Sequence, residues 1–433
     1  MFTETPTSTP SPSPSSTTIP TPTPSPTNTP APAAIEFVSA QPATIYGPGS
    51  GGPTQSVLIF RVTDAFGNPV GGVRVSFSLL PVVDASLAPT QATSDANGGV
   101  QSTLSSGRQA LAVTVTAAIE STAISVHSIP VNILGGVASR FSLAHEFHNV
   151  AGRVLLGLTD VFTAYVADRF GNPVPPGRVV SFVTNSGAIM HQMPTDPLGE
   201  ATATLVSAEP LPANGIVTTL AMTHGERPFT DNNGNGVCDD GVDTLRRLPE
   251  PYFDGNCNGS YDRGEAFIDL NQDGIFNDDQ GAGTCGESLV IFTSLCTTFS
   301  GATQVSLTRA GSGPIAAGGS ADFTLIVSDD LGNPIVWGST VRISVQGSRG
   351  RLVGPATVTI PDAITFNQLV DGVNRFRFSV VDGEPAASGG ETDVVTVTVD
   401  SHDLPAGGNG SMETLTQLTF LGAQTPTPAA SAH

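Results

Sequence analysis

Basic side chains are scarce in this chain: 17 lysines and arginines stand against 38 aspartates and glutamates in 433 residues, a formal net charge of −21. A surface of that sign repels nucleic acid and anionic lipid and leaves cations, neutral glycans and other proteins as partners. Long apolar runs are missing too. None approaches the roughly 20 residues a helix needs to cross a bilayer, so no membrane insertion is expected. The opening MFTETPTSTP has neither the basic nor the apolar region of a secretory signal, and we read the chain as a mature or truncated form of a secreted precursor. Helical periodicity is nearly absent. No GxSxG, phosphate-binding or dinucleotide fingerprint occurs in a fitting context, so no catalytic residue is assigned. Cysteine is confined to Cys238, Cys257, Cys285 and Cys296.

What is present repeats. DAFGNPV at 64–70, DRFGNPV at 168–174 and DDLGNPI at 329–335 each stand between two alternating apolar runs. SVLIFRVTD, DVFTAYVAD and ADFTLIVSD precede them, and VRVSFSLL, RVVSFVTN and VRISVQG follow. Such Val/Ile/Phe/Thr-rich segments of period two read as half-buried strands, and the GNP stretch as the tight turn between them. Gly67, Gly171 and Gly332 permit positive φ, and the following prolines restart the chain extended. A second turn recurs at TSDANGGVQSTL (93–104) and PTDPLGEATATL (194–205), whereas the third copy has VDGVNRFRFSV (370–380) instead.

An apolar strand ending in Asp, a GNPV turn, a VxF strand, a (S/T)DxxG turn and a closing VTVTA strand resemble the bacterial immunoglobulin-like domains of the invasin and intimin group. The resemblance runs over about 35–422 as three copies and implies an all-β chain of three tandem immunoglobulin-like β-sandwiches on a cell surface, with no catalytic residues. The expected division is an extended Thr/Ser/Pro-rich arm at 1–33, sandwiches at 34–135, 136–301 and 302–422, and a Pro/Thr tail at 423–433. The arm has the composition of a polyproline II tether or O-glycosylated stalk, with Thr21, Thr23 and Thr27 as acceptors; Asn409 in NGS is an N-glycosylation acceptor.

The second repeat is 57 residues longer than the first. The excess is expected at about 225–286, as a loop-rich insertion in the hairpin of the last two strands, at one end of the middle sandwich. Here the sequence turns to Asp, Asn and Gly. DGNCNGSYDRGE places Asp254, Asn256, Asn258, Asp262 and Glu265 at the first, third, fifth, ninth and twelfth positions, Gly259 at the sixth and the Ser260 carbonyl at the seventh. That is the register of a twelve-residue calcium loop, in which six to eight oxygens surround a hard cation. Asp269, Asn271, Asp273 and Asn277 repeat it, but Gln280 stands at the twelfth place, so Asp278 or Asp279 is expected to supply the carboxylate. Asp231, Asn233, Asn235 and Asp239 begin a third loop, with Asp243 one place beyond the usual last ligand. With no flanking helices evident, the loops resemble the calcium repeats of dockerins and type 3 thrombospondin segments, which implies structural calcium as the cofactor.

The even cysteine count favours two disulfides in an oxidising compartment, outside the cell or on its surface; three pairings are open, and Cys238 with Cys257 and Cys285 with Cys296 is the one expected. Zinc is disfavoured by the lack of a CxxC pair. His145 and His148 in HEFHN read as residues of a surface strand.

The function expected is therefore an extracellular structural protein, a subunit of a filament, stalk or adhesin shaft. Partners would be further copies, in a homo-oligomer or head-to-tail polymer built through the arm or by strand addition. The alternatives are an accessory region of a secreted hydrolase or a calcium-dependent glycan- or receptor-binding module, with Tyr252, Phe253, Tyr261 and Phe276 as contacts to surface glycans.

Overall fold

The computed structural model describes residues 31–365, 368–401 and 410–421. Thr21, Thr23, Thr27 and Asn409 lie outside the described residues, as do most of the arm and the tail. Every regular element described is a β-strand.

The strands form three successive pairs of sheets, each pair closed over its own core. In the first pair, Ala34–Gln41, Gln55–Thr63, Gly99–Ser105 and Ser86–Ala88 lie side by side. They face a sheet that contains Val131–Leu134, Leu111–Ile119 and Arg74–Leu80. Alternation does the sorting: Ser56, Leu58, Phe60 and Val62 of Gln55–Thr63 turn inward, and their neighbours turn out. The second sandwich repeats the order with Arg140–His145, Thr159–Ala167, Glu200–Val206 and Ala188–Ile189. The third repeats it with Gln304–Arg309, Ser320–Ser328, Arg375–Asp382 and Gly350–Val353. The chain is thus an all-β series of immunoglobulin-like sandwiches.

Each GNP turn is built alike. One oxygen of Asp64 accepts the N–H groups of Phe66 and Asn68 at 2.9 Å, and Asp168 and Asp329 do the same for Phe170 and Asn172 and for Leu331 and Asn333. The glycines take φ of 82°, 88° and 85°.

In the second and third sandwiches the same turn also makes the junction with the sandwich before it. The other oxygen of Asp168, which also takes the Asn172 amide at 2.8 Å, accepts Gly136 N–H at 2.9 Å, and the Asn172 amide donates as well to the Arg108 carbonyl at 2.6 Å. At the next junction Asp329 accepts Gly301 N–H at 2.9 Å and Asn333 donates to the Asn214 carbonyl at 3.0 Å. This second junction carries more: a two-pronged Arg153–Asp330 pair at 2.8 and 2.9 Å, Asn149 on the Pro334 and Ile335 carbonyls, and Phe147 stacked on Trp337.

Candidate functional site: the polar insertion of the middle sandwich

Strands Ile216–Glu226 and Ser288–Phe299 pair along their whole length, and residues 227–287 leave and rejoin at the Glu226–Ser288 end. The segment does not stay at that end, as the sequence implied. It folds back over the outer face of the two strands, which is why Ile216 through Ala221 are all buried where a surface strand would alternate. At the far end Thr218 Oγ1 donates to the Asp254 carbonyl at 2.7 Å and Asn214 to the Gly255 carbonyl at 3.0 Å. At the near end the Gly234 carbonyl accepts from Arg108 of the first sandwich at 2.9 Å. The insertion therefore reaches both junctions, because Asn214 is also the residue whose carbonyl receives Asn333.

Folding back also sets the disulfides, which differ from the expected pairing. Cys257 joins Cys296 on the strand beneath it, and Cys238 joins Cys285 where the segment returns, with Cα separations of 6.4 and 5.5 Å. The aromatic residues turn inward as a small core: Tyr261 stacks on Phe276 at 3.7 Å, and Tyr252 meets Tyr261, Phe276 and Phe292 edge-on at 5.7 to 5.9 Å. Burial, then the nearby Asp254 and Glu265 charges, push the Tyr252 hydroxyl above its ordinary pKa. Arg227, almost wholly buried, closes the base. It donates to Asp279 at 2.6 Å, Glu287 at 2.9 Å, the Arg246 carbonyl at 3.1 Å and the Gln280 carbonyl.

The three polar loops share one conformation. The first residue of each, Asp231, Asp254 or Asp269, accepts the N–H of the glycine at the sixth place, Gly236, Gly259 or Gly274, at 2.7, 2.6 and 2.8 Å. Those glycines have φ of 79°, 81° and 75°. Asn256 and Asn258 both reach the same oxygen of Asp262 at 2.7 Å, and Asn233 and Asn235 likewise converge on Asp239 at 2.9 and 2.6 Å. These two amides hold the Asp239 carboxyl below its usual range. The Ile275 N–H, then the Asn277 amide, do the same for Asp273, which Asn271 also reaches at 3.0 Å. Ser260, at the seventh place of its loop, donates its N–H to Asn258 at 2.8 Å.

The twelfth place is filled in three ways. Glu265 accepts the N–H groups of the second and ninth residues of its loop, Gly255 and Asp262, at 2.8 and 2.9 Å. Asp243, one residue late, does so for Asn232 and Asp239 at 2.9 Å. In the loop that ends in Gln280, the carboxylate is Glu250, which lies ahead of the loop and accepts from Leu270 at 2.8 Å and Asn277 at 2.9 Å. Asp278 and Asp279, the expected substitutes, are instead paired with Arg247 and Arg227. Burial acts to raise the Asp279 pKa, but the pairing with Arg227 outweighs it and keeps the carboxyl below its usual range. Glu250 was missed because it breaks the twelve-residue frame; the LPEPYF stretch around it gives no register to read.

Among the described residues no three His, Cys, Asp or Glu side chains gather into one potential metal cluster. The loops instead interleave carboxylates with asparagines, so their donor atoms are oxygens of both kinds. That set fits a hard cation such as calcium and does not fit zinc. His145 is not on a surface: its ring is buried and bonded to Asp160 at 3.0 Å. His148, half exposed, binds Asp362 at 3.1 Å across the second junction.

Residues 50–133 match the family of bacterial Ig-like domains (group 1). No curated protein sequence matches the chain. Among solved structures, the Escherichia coli adhesin FdeC is 14% identical, with 90% of this chain and 96% of that one covered and a TM-score of 0.37. Invasin, a bacterial integrin-binding protein, is 16% identical over 90% of this chain and 60% of its own, with a TM-score of 0.29. The D0-D1 domain of intimin is 18% identical over 44% of this chain and 90% of its own, at 0.22.

Proposed function

We propose that the chain is a non-enzymatic structural protein of the cell exterior, a shaft, stalk or filament subunit whose middle insertion binds calcium and splints three sandwiches into one stiff unit. The observation that carries this is the reach of the insertion, which touches the first sandwich through Gly234 and, through Asn214, the residue that receives the third. Asp254, Asn256, Asn258, Ser260, Asp262 and Glu265 would hold one ion. Asp231, Asn233, Asn235, Asp239 and Asp243 would hold a second, and Asp269, Asn271, Asp273, Asn277 and Glu250 a third. The bound cation would supply charge compensation: without it each loop keeps its acids apart with asparagine amides. Two disulfides agree with an oxidising exterior.

Of the rings named for the glycan-binding alternative, Tyr252, Tyr261 and Phe276 pack on one another, which supports their reading as a small core. Calorimetry of the wild type and of Asp254→Ala with Glu265→Ala, with calcium or chelator, tests the proposal. Calcium should raise the melting temperature of the wild type, and raise it less in the variant. Equal melting of the wild type under both conditions would refute it.

A further inference from the structure

We infer that the GNP turn of the first sandwich is a vacant copy of the junction seen twice elsewhere in the chain, and that its occupant is the far end of the third sandwich of a second copy. The inference rests on the reading of the chain as a surface shaft and specifies how such units would join.

The three turns have the same internal bonds and differ in what covers them. Asn333 is fully buried, Asn172 is partly covered by the first sandwich, and Asn68 is exposed. Phe170 lies beneath the Arg108 guanidinium, whereas Phe66, at the same place in its turn, is 90% exposed. Among the described residues Asp64 and Asn68 have polar partners within their own turn alone. Their counterparts show what is missing: a backbone N–H for the second Asp oxygen and a backbone carbonyl for the Asn amide.

The end of the third sandwich resembles the end that the second presents to its neighbour. The second sandwich closes on the sequence TFS at 298–300 and the third on TFL at 419–421. Phe299 and Phe420 are both buried, and Phe299 N–H donates to the Gly215 carbonyl as Phe420 N–H does to that of Glu391. The carbonyl one residue earlier is Asn214 in the second sandwich, where it binds Asn333, and Gly390 in the third, where the chain is exposed. By this correspondence Asn68 donates to the Gly390 carbonyl of the second copy, and Asp64 faces the end of its closing strand at Leu421. Recognition by main-chain groups tolerates sequence change, which explains how ends as different as 106–110 and 207–215 serve the same turn.

The test uses the full chain in calcium, followed by sedimentation velocity and electron microscopy over rising concentration. The wild type should form end-to-end dimers and longer rows. Phe66→Glu blocks the turn and Ser388→Arg blocks the opposite end, both at exposed positions outside the cores. Each alone should remain monomeric, and a mixture of the two should stop at dimers, since one free turn and one free end remain. A wild type that stays monomeric, or rows that persist in both variants, would overturn the inference. The calcium-dependent rise in melting temperature is read on the same samples: its presence in a monomeric wild type would sink this docking alone, and its absence would sink the splint instead.

Discussion

The first sandwich and the insertion of the second achieve order by opposite means. Between 34 and 134 the buried polar residues are four serines, no cysteine occurs, and Phe37, Phe60 and Phe77 meet within a continuous apolar core. Burial alone repays the loss of chain entropy there. Residues 227–287 have a handful of aromatic rings and much polar loop. They rely on two disulfides, a buried arginine and a lattice of Asx hydrogen bonds. A segment built in the second way can be tuned by ions, protons and oxidants that leave a segment of the first kind indifferent.

That contrast can be broken at several points. The largest effect should follow loss of the Cys257–Cys296 bond, which closes 39 residues; on loop entropy Cys257→Ala with Cys296→Ala costs about 4 kcal/mol. Hydrogen exchange should quicken across 227–287 and stay unchanged in 34–134. A spread of fast exchange into the first sandwich would show that the two regions are one cooperative unit.

Arg227→Ala comes next. It strips Asp279 and Glu287 of their partner, and because those acids are partly exposed the loss should be about 2–3 kcal/mol, read as earlier unfolding of the insertion by urea with the first sandwich unmoved. Within the insertion, Glu250→Gln should weaken calcium binding on the order of tenfold, as seen by isothermal titration, and Asp278→Asn should change it little. Equal effects would return the twelfth-place role to the local acids.

The smallest effect should be an acid one in the third sandwich. There Arg349 and Asp382 form a wholly buried pair at 2.9 Å, and the Arg349 hydrogen bonds hold the Asp382 carboxyl far below its ordinary range. A depressed carboxylate contributes stability that is complete above its unfolded pKa, about 4, and declines as pH falls toward the folded value. The melting temperature of the third sandwich should therefore drop between about pH 4 and pH 2, and more steeply than that of the first, whose core has no ion pair among the described residues. In Asp382→Asn the third sandwich should be weaker at neutral pH and flatter in acid.

Much of this molecule could be read in one dimension. Strands with period two, three GNP turns and three polar loops with Asp at the first place and Gly at the sixth are local patterns, and a side chain's inward or outward direction follows from its position along a strand. The Asp of each turn bonds residues two and four places on, so its role needs no partner from afar. Other features depend on which distant segments meet. The fold-back of 227–287 buries both faces of residues 216–221, brings Cys257 to Cys296 in place of Cys238, and sets Glu250 where Gln280 leaves a carboxylate wanting. The GNP turn itself has a local half and a distant half: its internal bonds are written in seven residues, but whether the second oxygen of its Asp meets a neighbour's N–H depends on another sandwich standing there. Local hydrogen bonds are specified by spacing along the chain, and long-range ones by packing, which spacing does not encode.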